Sequence, residues 1–310
     1  MAESDVVSHS ARDIRLTTYV LAKYAAQDDS GHVICFDPPC TITLPPKLEL
    51  NTLFAFKAFK DWLATLQHNF SLQGKEDHPF HKNPYKLKEI DVQAVTWFGT
   101  RVGFLKIQAT IETDDDSEGH RQWLPGAVFL RGGSVGMLLI VQGPNDEDEK
   151  QVILTIQPRI AAGSLAFTEI PAGMLDNGNI TGKAVEEIRQ ETSLEVVATE
   201  LTNMSDLAAE QATRPDEKLQ SSMYPSPGGC DEFMPIMLCQ KRLSEKMMAD
   251  LSGKLTGLRD EGENITCRLV KLRDLWKEGC RDGKTLVAVA LYEKLKEEGS
   301  LPAFPTEMAA

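Results

Sequence analysis

One stretch, Leu165–Val197, constrains this chain more than any other: LAFTEIPAGMLDNGNITGKAVEEIRQETSLEVV. An apolar, strand-like run breaks at Pro171-Ala172-Gly173. A loop rich in Gly, Asn and Asp follows, and an acidic helix is predicted around Lys183–Thr192. Within that helix Glu187 and Glu191 are four residues apart, so they share one face, one turn from each other. Two carboxylates held that close repel and raise their own pKa unless a cation lies between them. A hard divalent ion with oxygen ligands resolves the conflict, and Mg²⁺ or Mn²⁺ suits such a donor set. Two acids on a helix face are more often solvated surface, so the reading needs support from elsewhere in the chain.

Taken in order, the chain begins with a weakly patterned segment, in which Ile34–Leu44 suggests short strands interrupted by proline. Phe54, Phe56, Phe59, Trp62, Leu63 and Leu66 recur at near-helical spacing, which predicts an amphipathic core helix over Leu53–Leu66. Residues 90–112 read as a hairpin turning through Gly99-Thr100-Arg101, and an acidic loop from Asp114 to Gly119 passes toward a second domain. Val135–Val141 and Val152–Ile156 make another hairpin. After the organising stretch come strands at Glu195–Leu201, Met234–Cys239 and Ile265–Leu272, with a helical insertion at Leu243–Leu255. Helices at Asp274–Cys280 and Thr285–Glu298 precede a tail that reads as loose. Strands, then a helix, then more strands and helices predict a mixed sheet flanked by helices rather than a run of βαβ units.

The organising stretch resembles a Nudix box, G-x5-E-x7-R-E-U-x-E-E-x-G-U with U aliphatic. Gly173 opens it, Glu187-Ile188 falls on E-U, Glu191 on the last Glu of E-E, and Leu194 on the final U. It departs from the pattern in five places. Asn179 stands at the first Glu, one residue is missing from the x7 spacer, and Glu186 replaces Arg. Gln190 replaces the first Glu of E-E, and Ser193 replaces Gly. Three further segments strengthen the likeness: Gln157-Pro-Arg159, Tyr224-Pro-Ser-Pro-Gly-Gly-Cys-Asp-Glu232, and Thr256-Gly-Leu-Arg-Asp-Glu-Gly-Glu263. Together with Phe98–Lys106, and in the same order along residues 40–298, they are similar to the ADP-sugar diphosphatase and ADP-ribose pyrophosphatase branch of the family, in its plant-type form.

That resemblance implies an α+β Nudix fold, a mixed β-sheet sandwiched between α-helices, with an N-terminal β-rich domain over residues 1–124. The Nudix hydrolase domain would span 125–298, with a tail at 299–310. It implies metal ligands at the Ala172 carbonyl, Glu187, Glu191 and Glu263, holding Mg²⁺ or Mn²⁺. It further implies a general base at Glu261, a phosphate contact at Arg159 and a sugar-facing Glu232. The implied reaction is metal-dependent hydrolysis of the diphosphate of an ADP-sugar, ADP-ribose or ADP-glucose, to AMP and a sugar phosphate. Two rivals stand beside it: a non-catalytic nucleotide-sugar binder with a decayed box, and a hydrolase of another nucleoside diphosphate sugar such as UDP-glucose. A homodimer is implied too, with Trp97 and Phe98 near its contact. Of the departures, Gln190 keeps a carbonyl oxygen but loses a charge, so activity is expected with reduced metal affinity.

The formal charge of −13 disfavours a nucleic acid partner, which needs clustered Lys and Arg. No apolar run approaches the ~20 residues that span a bilayer, so no membrane partner is expected. The six cysteines form no Cys-x-x-Cys and have no histidines clustered near them, which argues against zinc and for free thiols. The acidic first residues resemble neither a signal nor a transit peptide, making the cytoplasm the default compartment, with the nucleus open.

Overall fold

The computed structural model describes residues 16–25, 33–114, 119–145, 147–175, 179–210, 217–257 and 264–309. The chain divides into two units: one reaches Arg131 and also takes Gly228–Cys230, and the other holds Gly132–Pro227 and everything from Asp231. The division falls a few residues beyond the domain boundary expected at 124/125.

The first unit contains β1 (Thr17–Ala25), β2 (Val33–Leu44), α1 (Leu50–Ala55), α2 (Lys57–Ser71), β3 (Lys86–Phe98), β4 (Arg101–Glu112), β5 (Trp123–Leu124) and β6 (Ala127–Leu130). Among the described residues its sheet runs β1-β2-β3-β4-β5, with β6 also on β4, and only β2–β3 is parallel. A parallel pair needs a crossover, and α1 and α2 supply it. The single helix expected over Leu53–Leu66 is two, because Phe56 adopts extended backbone between them. Its stripe is core as anticipated: Leu53, Phe59 and Leu63 are fully buried against Ile42, Ile90 and Ile107. The prolines at 38 and 39 do not split β2. They fall where the β1 ladder shifts register, between Leu21↔Cys40 and Lys23↔Cys35, so the missing prolyl N–H breaks no ladder bond there. The β3–β4 hairpin turns at Gly99 with φ 63°, and Trp97 and Phe98 beside the turn are exposed.

The second unit contains β7 (Ser134–Gln142), β8 (Gln151–Arg159), β9 (Ser164–Glu169), β10 (Ala172–Met174), α3 (Ile180–Thr192), β11 (Leu201–Asn203), α4 (Met204–Ala209), β12 (Ile236–Arg242), α5 (Glu245–Leu251), β13 (Leu255–Thr256), β14 (Ile265–Lys271), α6 (Leu275–Glu278) and α7 (Gly283–Glu297). Its sheet is ordered β11-β12-β7-β8-β14-β13, with β10 on β7 and β9 on β8; β12–β7 is parallel and the other pairs are antiparallel. Every residue of β7 is buried. Alternate side chains serve opposite faces, as strand geometry requires. Val135, Met137, Leu139 and Val141 meet Ala184 and Ile188 of α3, whereas Leu138 and Ile140 meet the face covered by Leu275, Ala288 and Tyr292. This is the mixed sheet between helix layers that the sequence predicts.

Two expectations are corrected. The strand expected at Glu195–Leu201 survives only at its last residue: Leu194 and Val196 bury while Glu195 and Val197 stay exposed, but no ladder partner is found among the described residues, Ala198–Glu200 make a 3-10 turn, and β11 begins at Leu201. Helix α4 follows β11 directly, capped by Asn203. The tail is not loose. Leu301 and Phe304 pack on the core, and Ala309 N–H donates to the Arg242 carbonyl at 2.8 Å. Among the described residues no helix is long and apolar enough to cross a membrane.

Candidate active site

The site is built where β10 passes α3. Met137 N–H donates to the Pro171 carbonyl and Leu175 N–H to the Gly133 carbonyl, both at 2.9 Å. Ala172, midway in this alternation, turns its N–H and C=O away from β7. Its N–H donates to Glu191 Oε2 at 3.1 Å, so the carbonyl on the same edge faces the same side. Gly173 carries the next constraint. A Cβ there would lie 1.9 Å from Glu187 Cδ, so only glycine lets that carboxylate rest on the strand.

α3 starts three residues earlier than expected. Asn179, at the box position usually held by Glu, is its N-cap and accepts from Gly182 N–H at 2.6 Å. The helix ends at Ser193, which takes the left-handed conformation (φ 58°) that the box normally gives to glycine. Between these ends Glu187 and Glu191 share the face toward β10, and Glu191 is only 5% exposed. Burial, then Glu187 and Glu169, push the Glu191 carboxyl up to about 8. Lys183 Nζ reaches Glu187 Oε1 at 2.9 Å and Glu186 at 3.2 Å. Burial pulls that ammonium down, but the two carboxylates more than offset it and leave it raised. The substituted positions Glu186 and Gln190 turn to each other, Gln190 Nε2 donating to Glu186 Oε1 at 3.0 Å.

Arg159, at the end of β8, gives its Nε–H to Glu169 Oε1 at 2.7 Å; its side chain is 41% exposed and that of Glu169 only 3%. The nitrogen of the Gln157 side chain, two residues before, is shut from water and has no hydrogen-bond partner among the described residues. Glu232 accepts from Ser134 Oγ at 2.6 Å, and Ser134 lies opposite Met174, so Glu232 is at the β10 end of β7. Glu261 and Glu263 lie outside the described residues. The residues leading to them are tied to α3: Thr256 Oγ1 donates to the Glu191 carbonyl at 2.5 Å, and Gly257 N–H to that of Gln190 at 3.2 Å. The structure therefore brings together Ala172, Glu187, Glu191 and, through Glu169, Arg159. Among the described residues no three His, Cys, Asp or Glu side chains form a metal-ligand group.

One part of the site was not foreseen. Glu169 Oε2 accepts from Lys284 Nζ, which is buried and also bonds Asp282 Oδ1 at 3.1 Å. Asp282 Oδ2 caps α7 through Thr285 N–H (3.2 Å) and Thr285 Oγ1–H (2.6 Å). The Asp282-Gly-Lys-Thr285 run reads locally as a helix cap, but no spacing rule links Lys284 to a glutamate 115 residues away.

No family model matches the sequence. A curated relative, the chloroplastic Nudix hydrolase 14 of Arabidopsis thaliana, is 33% identical over 243 residues, which are 78% of this chain and 71% of the relative. Among solved structures, an ADP compounds hydrolase is 18% identical with a TM-score of 0.39, covering 70% of this chain and 99% of its own. The Nudix hydrolase RenU from M. smegmatis is 14% identical with a TM-score of 0.32, covering 61% of this chain and 95% of its own.

Proposed function

This chain belongs to the Nudix hydrolase family, and from that we propose that it hydrolyses the diphosphate of ADP-sugars, with ADP-ribose and ADP-glucose as leading substrates, in a Mg²⁺-dependent reaction. The observation that carries the metal requirement is Glu191. Its carboxylate is buried beside Glu187 and Glu169, and among the described residues its bonded partner is a single backbone N–H, at 3.1 Å. A donor set of two carboxylates and the Ala172 carbonyl, all hard oxygens, fits Mg²⁺ or Mn²⁺. Ala172, Glu187 and Glu191 would hold the ion, with Glu263 assigned by the resemblance to complete the set. Bound there, the ion would supply positive charge to the diphosphate and lower the pKa of an attacking water.

The remaining roles fall to the chain itself. Among the described residues Arg159 is bonded through Nε, leaving its terminal nitrogens for phosphate oxygens, which a guanidinium grips in two-pronged fashion. Glu232, oriented by Ser134, faces the sugar. Glu261 accepts the proton of the attacking water as general base. The P–O–P bridge breaks, and AMP leaves with a sugar phosphate. The homodimer belongs to this reading as well, supported by exposed Trp97 and Phe98.

The non-catalytic binder keeps one observation in its favour: Lys183 already neutralises Glu187, and Gln190 offers no charge. One experiment decides. ADP-ribose, ADP-glucose and UDP-glucose are incubated with wild type and Glu187→Gln, with and without Mg²⁺. AMP formed by wild type from the ADP-sugars with Mg²⁺ alone supports the reading. Equal background in all conditions, together with ADP-ribose binding by calorimetry, replaces it with the binder. Faster turnover of UDP-glucose moves the substrate.

A further inference from the structure

We propose that Lys284 is a positioning residue for the Arg159 fork, acting through Glu169; this rests on the diphosphate-binding role of Arg159 given above. Glu169 is a second carboxylate whose charge reaches Glu191, yet both of its oxygens already serve cations. Oε1 accepts from Arg159 Nε at 2.7 Å and Oε2 from Lys284 Nζ. It is thus a bridge between two cations rather than a ligand.

The bridge is asymmetric. On its inner side Lys284 is 8% exposed and pinned between Glu169 and Asp282, itself 7% exposed. Asp282 is fixed in turn as the cap of α7, and Thr285 Oγ1 accepts from Ile170 N–H at 3.1 Å, the residue after Glu169. Helix α7 therefore grips the end of β9 through both a side chain and the backbone. On the outer side, among the described residues, Arg159 is held only by Nε. Two acids and two bases in the row Asp282, Lys284, Glu169, Arg159 cancel in charge.

Lys284 decides the pose of the guanidinium by occupying Oε2. Without it that oxygen is an open acceptor next to a guanidinium, and the preferred arrangement becomes the two-pronged one, Nε–H and one terminal N–H closing on both carboxylate oxygens. That would draw one terminal nitrogen away from the substrate. With Lys284 present the Arg side chain is ordered in advance with its fork outward, which lowers the cost of binding the diphosphate.

The test compares wild type, Lys284→Met, Arg159→Ala and the double variant. In ligand-free protein, the Arg159 side-chain NMR signals, assigned by their loss in Arg159→Ala, report the pose directly. Wild type should show a protected Nε–H with freely rotating terminal groups, and Lys284→Met should show hindered rotation about a terminal C–N bond. For ADP-ribose, calorimetry in EDTA and KM with Mg²⁺ should both weaken roughly tenfold in Lys284→Met, with kcat changed much less. The double variant should be no weaker than Arg159→Ala alone. Multiplying effects, or unchanged Arg159 signals in Lys284→Met, would overturn the proposal. If Lys284→Met does not fold, Glu169→Gln enters the same cycle with the same expected non-additivity. Wild type inert toward every nucleotide sugar would remove the functional reading, while the NMR comparison would still judge whether Lys284 sets the fork.

Discussion

The missing side chain of Gly173 is what allows a carboxylate to lie on the strand. Replacing it by Ala would force Glu187 Cδ, 1.9 Å from the new Cβ, outward by more than an ångström. Because displacements of that size at a reacting centre cost on the order of a hundredfold, Gly173→Ala should lose about that much turnover while its circular dichroism stays native. Glu191 gives the second residue-level prediction. Its carboxyl titrates near 8 in the folded, metal-free protein, because of burial and then of Glu187 and Glu169, against 4.5 in a free side chain. Below 4.5 both states hold the proton and this group's stabilisation is complete. As pH rises toward 8 the unfolded chain has released the proton that the folded chain keeps, so metal-free stability declines through that window and levels off above it. Metal binding needs the carboxylate, so Mg²⁺ affinity should rise about tenfold per pH unit up to about 8. Titrations at pH 6, 7 and 8 check this, and a flat profile would remove Glu191 from the metal site.

At the scale of elements, α3 is bounded by one favourable and one unfavourable residue. Asn179 caps it, but Ser193 ends it with φ 58°, a conformation costly for any side chain. Ser193→Gly should therefore gain roughly 0.5–1 kcal/mol in urea denaturation with unchanged kcat; no gain would mean that the strain is relieved elsewhere. The same helix shows what the sequence could and could not disclose. Its acidic face, the break at Pro171 and the apolar run of β7 were legible because they are local patterns. The run after Ser193 was misread because Leu194 and Val196 alternate like a strand while no neighbour pairs with them. The Glu169–Lys284 pair was invisible, since a buried ion pair between a strand and the last helix leaves no local trace. Arg159 was half legible: the resemblance implies its phosphate role, while the partner that orients it, Glu169 on β9, was not expected.

At the scale of the whole molecule, the cysteines test the burial pattern without touching the site. All six are free; Cys35 and Cys280 are exposed, and Cys40, Cys239 and Cys267 are buried. Burial pushes the Cys40 and Cys239 thiols up to about 12, with Glu89 adding to the first. A thiol reagent at pH 8 should therefore label Cys35 and Cys280 in native protein, and Cys40 and Cys239 only after denaturant. Fast native labelling of Cys239, at the centre of β12, would contradict the sheet. The chain's charge and its main apolar segments were readable from composition and pattern, but the seating of the tail on β12 was not, because its few apolar residues have no period. Strand β7, buried along its entire length, is flanked by β8, β10 and β12. Its amide protons can meet deuterium only when the surrounding sheet comes apart. The seat of Ala172 and Gly173 therefore persists for as long as the fold itself, and the wear of time should show first in side-chain contacts.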